Sequence, residues 1–162
     1  MIFRIIAALI LIFAVFITSP CSAADFDFSK AVVIGSGPKT IVEFTDPDCP
    51  FCRNASKYFE GRTDLTRYIF FYPLPRHPKA KEKVQYILSQ HDKAKAYREM
   101  MAGRFDNVAK LSGITEAGIK LQEEQMEIVK KAKVNATPTF IVNGRVFEGL
   151  DQNKIEEALG KK

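Results

Sequence analysis

The chain has 162 residues, with three cysteines, two histidines, no tryptophan and a formal net charge of +5. With 46% apolar and 27% charged residues it is no disordered polyelectrolyte, and it holds enough apolar surface for one packed core. Its lysines are spread beside glutamates, and no basic stripe interleaved with aromatics occurs, so no nucleic-acid partner is expected.

Residues 1–24 read as a signal peptide. Arg4 supplies the positive start, 5–17 an unbroken apolar run, and Ser22-Ala23-Ala24 the small residues for cleavage. The run is short for a membrane span, which takes about 20 apolar residues. An uncleaved N-terminal anchor is the alternative. Thr18-Ser19-Pro20 is a poor lipidation sequence before Cys21, which is expected to leave with the peptide. The expected domain is 25–162. Losing Arg4 and no acid takes the charge from +5 to +4, and two cysteines remain. An exported chain whose remaining pair lies within one short motif is using it for chemistry and not as a staple.

Ala31-Val32-Val33-Ile34 predicts a short strand, and 35–39 a turn. Residues 41–45 predict a buried central strand. Cys49-Pro50-Phe51-Cys52 follows, and then a helix to about Glu60 with Gly61 as its stop. Tyr68-Ile69-Phe70-Phe71-Tyr72 is aromatic and β-branched, hence another core strand, ended by Pro73-Leu74-Pro75. Strand, helix and strand form a βαβ unit with parallel strands. A helical stretch follows over about 79–133, broken at Gly103 and Ser112-Gly113. Its stripes are Ala80-Val84-Ile87-Leu88, Ala94-Tyr97-Met101 and Ile114-Gly118-Leu121-Gln125-Ile128-Ala132. Asn143-Gly144 between 139–142 and 145–148 predicts a hairpin, and Asp151 caps a last helix. The class is α/β.

A strand that ends on Cys-x-x-Cys, which then opens a helix, is a redox arrangement. Free amides and the positive helix end stabilise a thiolate on Cys49, the attacking species, and Cys52 lies one turn on to resolve a mixed disulfide. Half a zinc site looks the same. His77 and His91 form no ligand pair with the cysteines and are read as solvated residues, so no metal is expected. Glu43 is the acid in an otherwise apolar strand, on the face of Ile41 and Thr45. Buried unpaired it would hold a proton more tightly, which suits an acceptor for the Cys52 proton, and neutralising it would stabilise the fold. An edge-exposed or lysine-paired glutamate is the alternative. Asp46 and Asp48 are expected to face solvent in the turn.

The order of elements resembles the thioredoxin fold with a helical insertion. Within it the chain looks most like the DsbC/DsbG branch of periplasmic disulfide isomerases and reductases. The resemblance rests on Phe44-Thr45-Asp46-Pro47-Asp48-Cys49-Pro50-Phe51-Cys52, on Asp92-Lys93-Ala94-Lys95-Ala96-Tyr97 with Met101-Ala102-Gly103, and on Thr137-Pro138 with the hairpin and Gly149. It implies a single thioredoxin-like domain over 25–162 and a periplasmic thiol:disulfide oxidoreductase whose redox-active disulfide is Cys49–Cys52. It also implies a cis Thr137–Pro138 bond, with Thr137, Pro138, Pro50 and Phe51 binding substrate. No cofactor is implied. The implied partners are exported proteins with cysteines or disulfides and a membrane thiol electron donor. The branch carries an N-terminal dimerisation domain, for which the residues before Lys39 are too few, so a monomer is expected. Phe51 stands where a histidine would make a strong oxidant, which favours reductase or isomerase duty. A DsbA-like dithiol oxidase and a copper-delivery module are the alternatives.

Overall fold

A computed structural model describes residues 26–160, so the signal-peptide reading of 1–24 and the fate of Cys21 lie outside the described residues. A 3-10 turn, Phe28–Lys30, precedes β1 (Val32–Ile34), β2 (Lys39–Thr45), α1 (Pro50–Phe59) and β3 (Leu65–Phe71). Three helices follow, α2 (Ala80–Ser89), α3 (Lys93–Met101) and α4 (Glu116–Lys131). The chain then returns as β4 (Thr139–Val142), β5 (Arg145–Glu148) and α5 (Gln152–Ala158).

The strands form one sheet in the order β1-β3-β2-β4-β5. Only β2 and β3 run parallel, because α1 carries the chain back between them. Asn143 and Gly144 both adopt positive φ, as the two-residue turn between β4 and β5 requires. Asp151 accepts a hydrogen bond from the Lys154 amide and caps α5, so both local signals are realised.

Alternation along β2 divides the core. Ile41 packs with Ala55 and Phe59 of α1, Phe140 and Val142 of β4 and Ile155 of α5. Val42 and Phe44 point the other way, toward Phe26, Phe70, Ile141 and Val129 of α4. A third cluster joins Cys49 and Cys52 to Ile69, Phe71, Val84, Ile87, Tyr97 and Met100, so the helical insertion walls in the two sulfurs.

Three details depart from the sequence reading. β3 begins at Leu65 and not at Tyr68, because the central β2 offers a ladder partner to every residue from Leu65 on. Tyr72 lies past the strand, although its amide still donates to the Thr45 carbonyl (2.8 Å). Tyr97 and Met101 of the expected α3 stripe and Gly118 and Gln125 of the expected α4 stripe are buried, but Ala96 and Met100 replace Ala94, and Gln122 and Val129 replace Leu121 and Ile128. Contact sets the α4 face. A Cβ on Gly118 would stand 2.1 Å from Ser89 Oγ, so only glycine fits against α2 there.

Candidate active site

The end of β2 delivers Thr45-Asp46-Pro47-Asp48 into the start of α1. Cys49 is the N-cap residue, Pro50 takes the first helical position where its missing N–H costs nothing, and no side chain caps the helix. The first-turn amides and the positive helix end are therefore available to an anion at Cys49. Both cysteines are in the free thiol form and buried, Cys49 being 1% and Cys52 0% exposed. The Cys49 thiol donates to the Thr137 carbonyl at 3.6 Å. The Thr137–Pro138 bond is cis, and Pro138 in turn accepts from the Gly149 amide at 2.7 Å. Pro50 and Phe51 stand exposed beside this pair, Phe51 at 67%. Thus Cys49, at the start of α1, meets the Thr137–Pro138 loop before β4, and Pro50, Phe51 and Cys52 follow it in the helix.

The two sulfurs sit in different surroundings. Cys52 Sγ accepts from the Asp46 amide at 3.4 Å. Burial pushes its thiol from the ordinary 9.0 up to about 12, opposed by the hydroxyls of Thr137 and Thr45 and the Asp46 amide. A proton held more tightly in the folded state contributes stability that is complete below the ordinary value and is lost as pH rises toward the folded one. The reduced protein is therefore expected to lose stability between about pH 9 and 12 by a component that the Cys52→Ala variant lacks. Urea unfolding of both proteins across that range checks this, and parallel profiles would contradict it.

Polar contacts pin the loop that carries the cysteines. Asp46 is 0% exposed, a correction to the solvent-facing position expected from the turn. Its carboxylate accepts from the amides of Asp48 (2.7 Å) and Leu74 (2.8 Å), and it lies 2.8 Å from His77 Nδ1. His77 is accordingly a half-buried partner of the loop and not the solvated residue expected, while His91 is exposed. Asp48 is part-buried. The ammonium of Lys83 in α2 bridges it to Asp106, and Arg53 Nε donates to the Pro47 carbonyl at 2.7 Å. Arg53 and Lys83 together hold the Asp106 carboxyl well below the usual carboxylate range.

Glu43 is buried on the Ile41 and Thr45 face, but it is not unpaired, and its partner is no lysine. Arg67 of β3 donates to its Oε2 from Nε (3.1 Å) and Nη2 (2.6 Å), and Nη2 also reaches the Tyr97 hydroxyl (3.0 Å). Glu43 Oε1 keeps no hydrogen-bond partner among the described residues. The expectation of an unpaired acid is thereby corrected. The register Ile41↔Arg67 and Glu43↔Ile69 across β2 and β3 puts the guanidinium within reach. Arg67, Lys83, Asp106 and His77 were missed in the sequence. Only Arg67 left a trace there, as a charge alternating with Leu65 and Ile69 on one strand face. Among the described residues, no three His, Cys, Asp or Glu side chains are grouped so as to hold a metal ion.

A reduced dithiol with one sulfur at a helix start and the other sealed behind it can exchange with a disulfide. Comparison with known proteins agrees with this chemistry. A profile of the family described as "Thioredoxin-like domain" matches residues 26–161. "Crystal structure of disulfide interchange protein from Neisseria gonorrhoeae" describes a structure 32% identical, at TM-score 0.71, covering 84% of this chain and 97% of that one. A Bordetella parapertussis protein named "Probable thiol:disulfide interchange protein DsbC" is 27% identical over 143 residues, which are 86% of this chain and 48% of the relative. The chain thus spans about half the length of the curated relatives it matches. A periplasmic thioredoxin-like protein from Salmonella enterica serovar Typhimurium, 17% identical at TM-score 0.63 over 85% of this chain and 95% of that one, shares the fold.

Proposed function

The chain belongs to the thioredoxin-like domain family, and on that premise we propose that it is an exported thiol:disulfide oxidoreductase acting on protein disulfides as a reductase or isomerase. The observation that carries this reading is the placement of the cysteine pair. Cys49 sits at an uncapped helix start, in contact with the carbonyl of the residue before cis-Pro138, and Cys52 lies behind it.

The Cys49 thiolate attacks one sulfur of a substrate disulfide, breaking that S–S bond and releasing the other sulfur as a thiolate that takes up a proton. Cys49 is now in a mixed disulfide. Cys52 loses its proton and attacks Cys49 Sγ, forming the Cys49–Cys52 disulfide, and the second substrate sulfur leaves with its electron pair. Two electrons pass to the substrate. A membrane thiol donor restores the dithiol. Glu43 receives the Cys52 proton on Oε1, the oxygen that Arg67 leaves free. Thr137 and Pro138 hold the extended substrate by backbone contacts in the manner of strand addition, while Pro50 and Phe51 meet its side chains.

The periplasm is the proposed site of action, following from the targeting segment read in 1–24. No helix among the described residues is long and apolar enough to cross a membrane. The direction of electron flow is tested by equilibrating the Cys49/Cys52 couple with glutathione. A potential at or below about −180 mV is expected for reductase or isomerase duty. A value near about −120 mV would transfer the assignment to the oxidase alternative.

A further inference from the structure

Among the described residues, four side chains hold a buried polar atom without a hydrogen-bond partner, and two of these are Thr45, which precedes the Asp46 amide that donates to Cys52 Sγ, and Thr137, whose carbonyl accepts from the Cys49 thiol. A buried hydroxyl that donates to nothing costs on the order of 1–3 kcal/mol, and native interiors keep few of them. Thr45 is 0% exposed and is the last residue of β2. It shares the Glu43 face of that strand, and the next residue, Asp46, already gives its amide to Cys52 Sγ at 3.4 Å. Arg67, the buried guanidinium beside β2, is engaged by Glu43 and Tyr97. A thiolate formed at Cys52, itself 0% exposed, must therefore be stabilised by neutral dipoles.

We propose that the Thr45 hydroxyl is a catalytic hydrogen-bond donor that stabilises the Cys52 thiolate during resolution, with the Asp46 amide as the second fixed donor. The proposal rests on the oxidoreductase reading above and assigns a further residue to its resolving step. In the dithiol the hydroxyl makes no hydrogen bond, and a neutral thiol sulfur, a weak acceptor, would reward one little. A thiolate is a charged acceptor, and a hydroxyl turned onto it makes a charge-assisted bond about twice as strong as a neutral one. The donor gains strength only as the reactive species forms, which lowers the barrier and not merely the ground state. In that step Cys52 S⁻ attacks Cys49 Sγ. The Cys49–Cys52 bond forms, the bond from Cys49 to its partner breaks, and the partner sulfur leaves with the electron pair and is protonated from solvent. Thr45 keeps its proton throughout.

The test is a stopped-flow titration of the reduced protein with stoichiometric 5,5′-dithiobis(2-nitrobenzoate). The first chromophore released reports Cys49 attack. The second reports Cys52 attack on the Cys49 mixed disulfide. Thr45→Val, which keeps the shape and removes the donor, is expected to slow the second release about tenfold at neutral pH and to displace its pH profile upward. The first release should stay within about twofold, and Thr45→Ser should restore the second. A second release and pH profile unchanged in Thr45→Val would overturn the proposal. So would Thr45→Ser slowed as much as Thr45→Val, or both releases slowed together, since those outcomes mark a packing role. If the parent itself gives no first release from Cys49, the oxidoreductase reading fails instead, so the two failures are distinct.

Discussion

Cys52→Ala is expected to stop turnover completely and to accumulate a stable disulfide between Cys49 and its protein partners, whereas Cys49→Ala should trap none. The asymmetry follows from position. Cys49 caps α1 and touches the Thr137 carbonyl, where a substrate sulfur would arrive, while Cys52 is sealed behind it with its thiol pushed up to about 12 by burial. Attack falls to the sulfur at the helix start, and only the inner sulfur can complete the exchange. Non-reducing gels of extracts from cells expressing each variant, followed by identification of the captured chains, decide the matter. Equal trapping by both variants would remove the division of labour.

Arg67→Met is expected to destabilise the fold by about 3–5 kcal/mol, the cost of leaving one member of a buried ion pair without its partner. Arg67 is 3% and Glu43 0% exposed. The guanidinium also reaches the Tyr97 hydroxyl and lies over the Phe59 ring at 4.9 Å, so one side chain joins β2, β3, α1 and α3. The double variant Glu43→Gln/Arg67→Met should recover most of the loss, because a neutral amide beside an apolar chain carries no uncompensated charge. Glu43→Gln alone should also destabilise, since it strands Arg67. This reverses the sign expected for an unpaired acid, whose neutralisation would stabilise. Urea unfolding of the reduced proteins is the measurement. A loss under about 1 kcal/mol for Arg67→Met would place the pair in the class of weak, solvent-screened contacts.

Much of the architecture was legible because it is encoded locally. The apolar runs of β1 and β2, the Asn143-Gly144 turn, the Asp151 cap and the glycine break after α1 each depend on a few neighbouring residues, and each appears where the pattern puts it. The position of Cys49 at a strand-to-helix junction is of the same kind. The α3 and α4 stripes were legible only in part, Tyr97, Met101, Gly118 and Gln125 being buried as expected, because two helices in contact choose their own faces. Gly118 against Ser89 sets that of α4, and no periodicity in a single segment contains the partner.

The chain by itself determined the α/β order, the hairpin and the dithiol at the start of a helix, since these arise from backbone preference and spacing over a few residues. The electrostatic surroundings of that dithiol were decided only by the tertiary structure. Asp46 and His77 meet across 31 positions, Glu43 and Arg67 across 24, Lys83 and Asp48 across 35, and Cys49 and Thr137 across 88. Read along the sequence, Asp46, Asp48 and His77 look solvated and Glu43 looks unpaired. A buried charge persists only where a partner from another element compensates its desolvation, and which element arrives there is a property of the assembled sheet and helices.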